Sequence, residues 1–294
     1  EMMEGRFISI LAIAGIAMGC AKVESCIDST DVMRFEAAHP STRATETGFE
    51  AGDTIGVYIS GYEDGKPVPL QLGGNYKNNN PVIFDGHNWT ADPVIYWEEG
   101  FYDIFAYYPF LRPESVDKLD FSVQANQNDE GDGKAPAGYE ASDFLYATAK
   151  GLTKDDGAVR LAFSHLMSCL RINLVKGEDF KGDIPDDVTV YVHNTVTRAV
   201  IDLSSGDVVK NPRASAGSII ARRDNAASYS AIIVPQMIES KMPLIEIVCC
   251  GVSYLIESRF TFKTGVRHTF NVTMSGNPDK IKIEIGGELD EGWN

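Results

Sequence analysis

No Cys-x-x-Cys pair occurs in this chain, and His-Glu-x-x-His, Gly-x-Ser-x-Gly and phosphate-cradling glycine loops are absent as well. Those gaps remove the common zinc, dithiol, serine-hydrolase and nucleotide-binding layouts, so neither an enzyme nor a cofactor or metal site is expected. Positive charge is scarce: 26 Lys and Arg stand against 42 Asp and Glu, a formal net charge of −16. So acidic a surface cannot displace counterions from a phosphate backbone, and no nucleic-acid partner is expected. The five cysteines, Cys20, Cys26, Cys169, Cys249 and Cys250, are too few and too irregularly spaced for a disulfide framework. Cys249 and Cys250 are neighbours, which on a strand point to opposite faces, so they read as separate residues. The histidines, His39, His87, His165, His193 and His268, are scattered singly and read as structural; His165, between two apolar strands, is the one expected to be buried.

Long apolar runs are missing too, except at the start. Phe7 to Met18 is an unbroken stretch of apolar and small residues, preceded by Arg6 and closed by Gly19-Cys20. It is too short for a permanent membrane span and has the layout of a bacterial export signal. Small residues running into a cysteine point to a lipoprotein, with Cys20 as the lipidated N-terminus holding the protein to the outer membrane or cell surface. Residues 21–48 follow as a polar pro-segment or tether. One piece of it, Val32 to Ala37, alternates so that Met33, Phe35 and Ala37 share a face, for which a plain tether has no use. The stretch from His39 to Gly48, which contains Arg43, reads as exposed and open to proteases.

From Phe49 onward the pattern is short strands between turns, with almost nothing at helical period, and an all-β sandwich or barrel is expected. Thr54 to Ser60, Val82 to Phe84, Val94 to Trp97, Tyr102 to Tyr108, Phe144 to Thr148 and Val159 to Phe163 form a first half, 49–164. Val188 to Val192, Ala199 to Leu203, Tyr229 to Val234, Leu244 to Cys250, Val252 to Phe262, Thr269 to Met274 and Lys280 to Ile285 continue the style through a second half, 165–294. Glu114 to Ser142, rich in Asn, Asp and Gly, reads as a solvated insertion. Trp89 and Trp97 could offer flat faces to sugar rings, as on a surface glycan-binding lipoprotein, although alternation favours a core role for this aromatic cluster.

Several segments in order resemble the fimbrillin-like proteins of Bacteroidales. They are Phe49-Glu50-Ala51-Gly52-Asp53-Thr54-Ile55-Gly56-Val57-Tyr58, Tyr96-Trp97, Tyr102 to Pro109, Asp143 to Ala147, Leu161 to Met167, Phe262 to Thr273, and Trp293. The resemblance implies a type V pilus (fimbrium) subunit with two consecutive transthyretin-like β-sandwich domains behind a lipoprotein signal and pro-segment. It also implies that Val32, Met33, Phe35 and Ala37 belong to a plug strand removed by cleavage after Arg43, and that the partners are other pilus subunits joined by β-strand addition, besides a host or bacterial surface protein or glycan. Lys280 to Ile285 has a donor-strand pattern but reads first as the last strand of its own domain. With Asn294 directly after Trp293, no long donor tail is expected, which favours a tip, anchor or accessory subunit over a stalk.

Overall fold

The computed structural model describes residues 31–40, 48–133, 135–239, 241–285 and 290–293. The lipidation candidate Cys20 and the processing candidate Arg43 lie outside the described residues. Among the described residues the fold is all-β, with helix confined to 3-10 turns such as Glu140–Ser142 and Lys154–Asp156.

The segment ahead of the first half supplies β1 (Phe35–Ala38), and the first half, as far as its boundary with the second, supplies β2 (Thr54–Glu63), β3 (Lys66–Pro67), β4 (Lys77–Phe84), β5 (Trp89–Ala91), β6 (Tyr102–Tyr108), β7 (Leu119–Ser122), β8 (Leu145–Leu152), β9 (Val159–Ala162) and β10 (Ser164–His165). All but β7 join one sheet of order β10-β8-β6-β2-β4-β5-β1-β9, with β3 against β2. The strands at its two ends, β9 and β10, are separated by Phe163 alone. One residue cannot span more than a few ångströms, so the sheet must curl until its ends meet around a common core. That core holds Ile55, Val57 and Ile59 from β2, Ile104 and Ala106 from β6, and Leu145 and Ala147 from β8.

The alternate residues of the same strands, Tyr58, Phe105, Tyr107 and Tyr146, are buried as well, in a second apolar cluster that continues into the other half. Two-sided burial explains why β2 and β6 carry nearly continuous apolar runs where a sheet with one wet face would alternate. The second half begins with β11 (Ser168–Lys176), β12 (Thr189–Thr195), β13 (Arg198–Asp202), β14 (Asp207–Lys210), β15 (Gly217–Ile220), β16 (Arg222–Asn225) and β17 (Ser228–Ile233). It continues with β18 (Gln236–Ile238), β19 (Pro243–Cys249), β20 (Val252–Glu257), β21 (Phe260–Phe262), β22 (Val266–Met274), β23 (Lys282–Ile285) and β24 (Glu291–Gly292). Among the described residues, a sheet of order β16-β17-β11-β22-β23 and another of order β15-β12-β19-β20 share one core. Leu170, Ile172, Phe270 and Val272 come from the first of these, and Val190, Val192, Ile245 and Ile247 from the second. This is a β-sandwich. Lys280 to Ile285 contributes β23, an edge strand paired with β22 of its own sheet.

The stretch from Glu114 to Ser142 departs from the solvated loop expected of its composition. Its β7 pairs with β13 of the other half, Ala199 opposite Phe121, and Leu119 and Phe121 are buried. Beyond it, Gln127 is 1% exposed, inside the segment read as a solvated insertion. Its side-chain amide donates to the Ile232 carbonyl and accepts from the Ile232 amide, both at 2.7 Å. One side chain thus stands in for a neighbouring strand at Ile232. The C-terminal residues return to the same junction: Trp293, 1% exposed, stacks on the buried His165 ring at 3.7 Å and 2°.

Replacing Gln127 by Ala would leave the amide and carbonyl of Ile232 buried without these partners. At roughly 1–3 kcal/mol for each, we expect a loss of about 2–6 kcal/mol. A urea midpoint unchanged from wild type would show that the insertion does not brace the second half.

Candidate functional site

Strand β1 sits in the interior of the first sheet although it precedes everything else in it, and residues 31–34 lead into it. An interior strand must find backbone partners on both edges, and this one does. On one side it runs antiparallel: the Met33 amide donates to the Ile95 carbonyl (2.9 Å), the Trp97 amide donates to Asp31 (2.6 Å), and Phe35 lies opposite Trp89. On the other it runs parallel to β9 with Phe35 beside Val159 and Ala38 beside Ala162; the Val159 amide donates to Arg34 and the Phe163 amide to Ala38. Strand β1 therefore occupies a slot between β5 and β9 that would otherwise be open on both sides.

The expected plug residues face as their alternation requires. Met33 is 2% and Phe35 5% exposed, Ala37 is half-buried, Val32 forms an isolated bridge with Tyr96, and Arg34 and Glu36 are exposed. Met33 and Phe35 pack into the core with Ile95, Trp97, Val159 and Leu161. Burying two side chains of that size contributes about 3–6 kcal/mol. The outward pair, Glu36 and Arg160 at 3.3 Å, is exposed on both partners and adds little. A cleft of about 580 Å³ runs beside the strand, bordered by Val32, Phe35, Trp89, Val94, Trp97 and Lys154.

Trp89 and Trp97 are 9% and 6% exposed. Trp89 stacks on Phe84 at 5.0 Å and takes the edge of Phe49 at 4.9 Å. Both rings belong to the core that also holds Met33 and Phe35, the core role that the strand alternation favours.

Past β1 the chain leaves through a ring cluster. His39 meets Phe49 edge-on at 5.0 Å, and Phe49 also touches Tyr108 and Phe163, each at 5.6 Å. The two ends of the stretch that carries Arg43 are thus held together at one place. Tyr108 donates to Asp53 at 3.0 Å, and burial, reinforced by that carboxylate, holds its phenol far above the usual range, so it remains a donor. His165 lies 5.8 Å from His39, bonded through Nδ1 to Asp143 at 2.9 Å. Sequence reasoning did not find Phe49 as the anchor of this exit or Trp293 as its floor; Phe49 stands just after a polar run and shows no strand alternation. Among the described residues no group of three or more His, Cys, Asp or Glu converges as a metal site, and no helix is long and apolar enough to cross a membrane.

Comparison with known proteins places these features in a family context. A family model described as fimbrillin-like matches residues 42–288, so its first residue falls after β1. A candidate fimbrium tip subunit of Bacteroides ovatus, Fim1C, is 29% identical over 181 residues, which is 53% of this chain and 31% of that protein. The chain thus spans about a third of the length of this curated relative. Among solved structures, a candidate cell adhesion protein from Bacteroides uniformis superposes with a TM-score of 0.67 at 18% identity, covering 90% of this chain and 99% of that one. A fimbrial protein from Bacteroides vulgatus gives 0.52 at 15% identity, again over 90% and 99%. At these identities the structures show a shared fold.

Placing a carboxylate in the slot tests how the strand is held. Phe35→Asp is expected to undock β1, so that the amides of Trp97, Val159 and Phe163, which donate to it, lose hydrogen-exchange protection while Ile172 and Val272 keep theirs. Protection unchanged at Val159 would count against this account.

Proposed function

The chain belongs to the fimbrillin-like family, and on that premise we propose that it is a fimbrial subunit or a tip or accessory adhesin, joined to other subunits by β-strand exchange after its N-terminal segment is cut away. The observation that carries the reading is β1. A strand that precedes the family-matched residues fills an interior position of the first sheet, and its removal would open the edges of β5 and β9 over an apolar floor. Such an opening accepts an extended segment of alternating pattern, which is the chemistry of strand addition.

The remaining parts of the proposal rest on residues. Cys20 is the lipid attachment point that holds the precursor to the outer membrane. Arg43 is the cut site, and the meeting of His39 with Phe49 supports this, because it brings the ends of the Arg43 stretch to one side of the slot. Val32, Met33, Phe35 and Ala37 leave with the released segment. Residues 49–164 and 165–294 form the two sandwich domains, and the work of the protein is mechanical and adhesive, with no catalysed reaction. The name of the Bacteroides ovatus relative supports a tip position. A glycan-binding surface lipoprotein loses its motivating residues with the burial of Trp89 and Trp97.

Treating the full chain with an Arg-specific protease is expected to release the segment ending at Arg43 and to produce oligomers that survive heating in detergent. Arg43→Ala should remain uncut and monomeric, and excess synthetic Val32–Ala38 peptide should slow oligomer formation. A chain that loses the segment and stays monomeric would sink strand exchange as its mode of assembly.

A further inference from the structure

The turn between β19 and β20 carries chemistry that strand exchange does not use. Cys249 closes β19 opposite Val252, which leaves Cys250 and Gly251 as a two-residue loop with φ of +55° and +73°. Positive φ at both central residues marks a type I′ turn, whose first position suits Asn, Asp or Gly. Cysteine has neither the freedom of glycine nor an amide to bond locally, so backbone preference does not explain its presence there.

What the left-handed conformation does is bring the sulfurs together. Two neighbours on a strand diverge, as the sequence pattern predicts for this pair. Cys250 instead turns back, so that its Sγ lies 3.8 Å from that of Cys249, which donates its S–H. Cys249 is 1% exposed and Cys250 is exposed. One thiol faces solvent and the other waits directly beneath it.

We infer that Cys249 and Cys250 form an oxidisable dithiol site, closed by a small-molecule or protein disulfide into a bond within the turn. Cys250, as thiolate, attacks one sulfur of the oxidant, breaking its disulfide and releasing one thiol, which takes up a proton. Cys249 then gives up its proton and attacks the Cys250 sulfur, forming the vicinal bond and releasing the second thiol. Two electrons and two protons pass from the pair to the oxidant, which ends as two thiols. Access sets the order, and burial supports it by pushing the Cys249 thiol up to about 11, so that it does not start the exchange at neutral pH. Adjacent Cα atoms are about 3.8 Å apart, closer than ordinary disulfides span. The product is therefore a labile bond suited to switching, and it lies where the edge strand β20 begins.

Lys241 and Arg259 bracket both residues, so trypsin releases them in one peptide, Met242–Arg259, free of other cysteines. The full chain is incubated with oxidised glutathione, alkylated, digested and weighed. The expected peptide is lighter by two hydrogens, carries no alkyl label or glutathione, and reverts with dithiothreitol. Cys249→Ser should trap glutathione on Cys250, and Cys250→Ser should leave Cys249 unmodified. Cys250→Asn, a residue that suits the turn, should fold normally and show no oxidised peptide. A wild-type peptide that keeps glutathione, bridges two copies through Cys250, or remains a doubly alkylated dithiol would overturn the inference.

Discussion

Hydrogen bonding on both edges of an interior strand is the constraint from which the rest of this molecule follows. Between β5 and β9 that requirement is met by a segment that enters before the rest of the sheet, runs antiparallel to one neighbour and parallel to the other, and leaves beside Phe49. With β1 in place the nine strands curl until β9 meets β10 across Phe163. Without it, the same sheet would carry two unpaired edges above Trp89, Trp97, Val159 and Leu161; water can bond the edges but not the apolar floor, whereas an extended chain with apolar side chains on one face satisfies both.

The far face of this sheet has a different neighbour. Tyr58, Phe105, Tyr107 and Tyr146 point away from the β1 slot into the cluster shared with the second half, and Tyr146 donates its hydroxyl to the Leu203 carbonyl at 2.9 Å. Strand β7, the Gln127 amide and Trp293 cross the same junction. Events in the slot therefore happen on one face of a sheet whose other face is fixed. On the proposed route, that division would let a strand leave or enter while the bulk of the fold, built on β11, β17, β22, β12 and β19, keeps its packing.

Much of this was legible in sequence, and the misses have identifiable causes. Alternation in Val159 to Phe163 and Met33 to Ala37 revealed strands because each has one face in a core and one outside, which is what a period of two records. Lys77 to Asn80, Arg222 to Asn225 and Leu119 to Ser122 escaped because they are short and polar, or paired with distant partners such as β13, and no local pattern encodes a distant partner. Val252 to Phe262 read as one strand and is two, β20 and β21, paired with different strands. Gln127 sits among Asn and Asp residues of the same polarity, and only its partner at Ile232 distinguishes it. Tryptophan suits both a core and a sugar site, and alternation favoured the core for this cluster; Trp89 and Trp97 are buried in it.

The location of a cut site just beyond β1 has a thermodynamic logic on the proposed route. While the chain is intact, the strand competes for its slot as a tethered ligand, at an effective concentration in the millimolar range or above for a short connection. Its own grip is modest: Met33 and Phe35 supply about 3–6 kcal/mol of apolar burial, and each backbone hydrogen bond adds only about 1 kcal/mol net. Against these stands a cost of roughly 1–2 kcal/mol for ordering each residue of the segment. Cutting the connection changes none of these contacts. It removes the tether, after which a segment this short must hold its slot at bulk concentration, where millimolar affinity corresponds to about −4 kcal/mol and means rapid loss on dilution. On the proposed route, a longer incoming strand with more apolar side chains would then outcompete it. A single peptide bond can thus decide when the slot opens, without any other change in the fold.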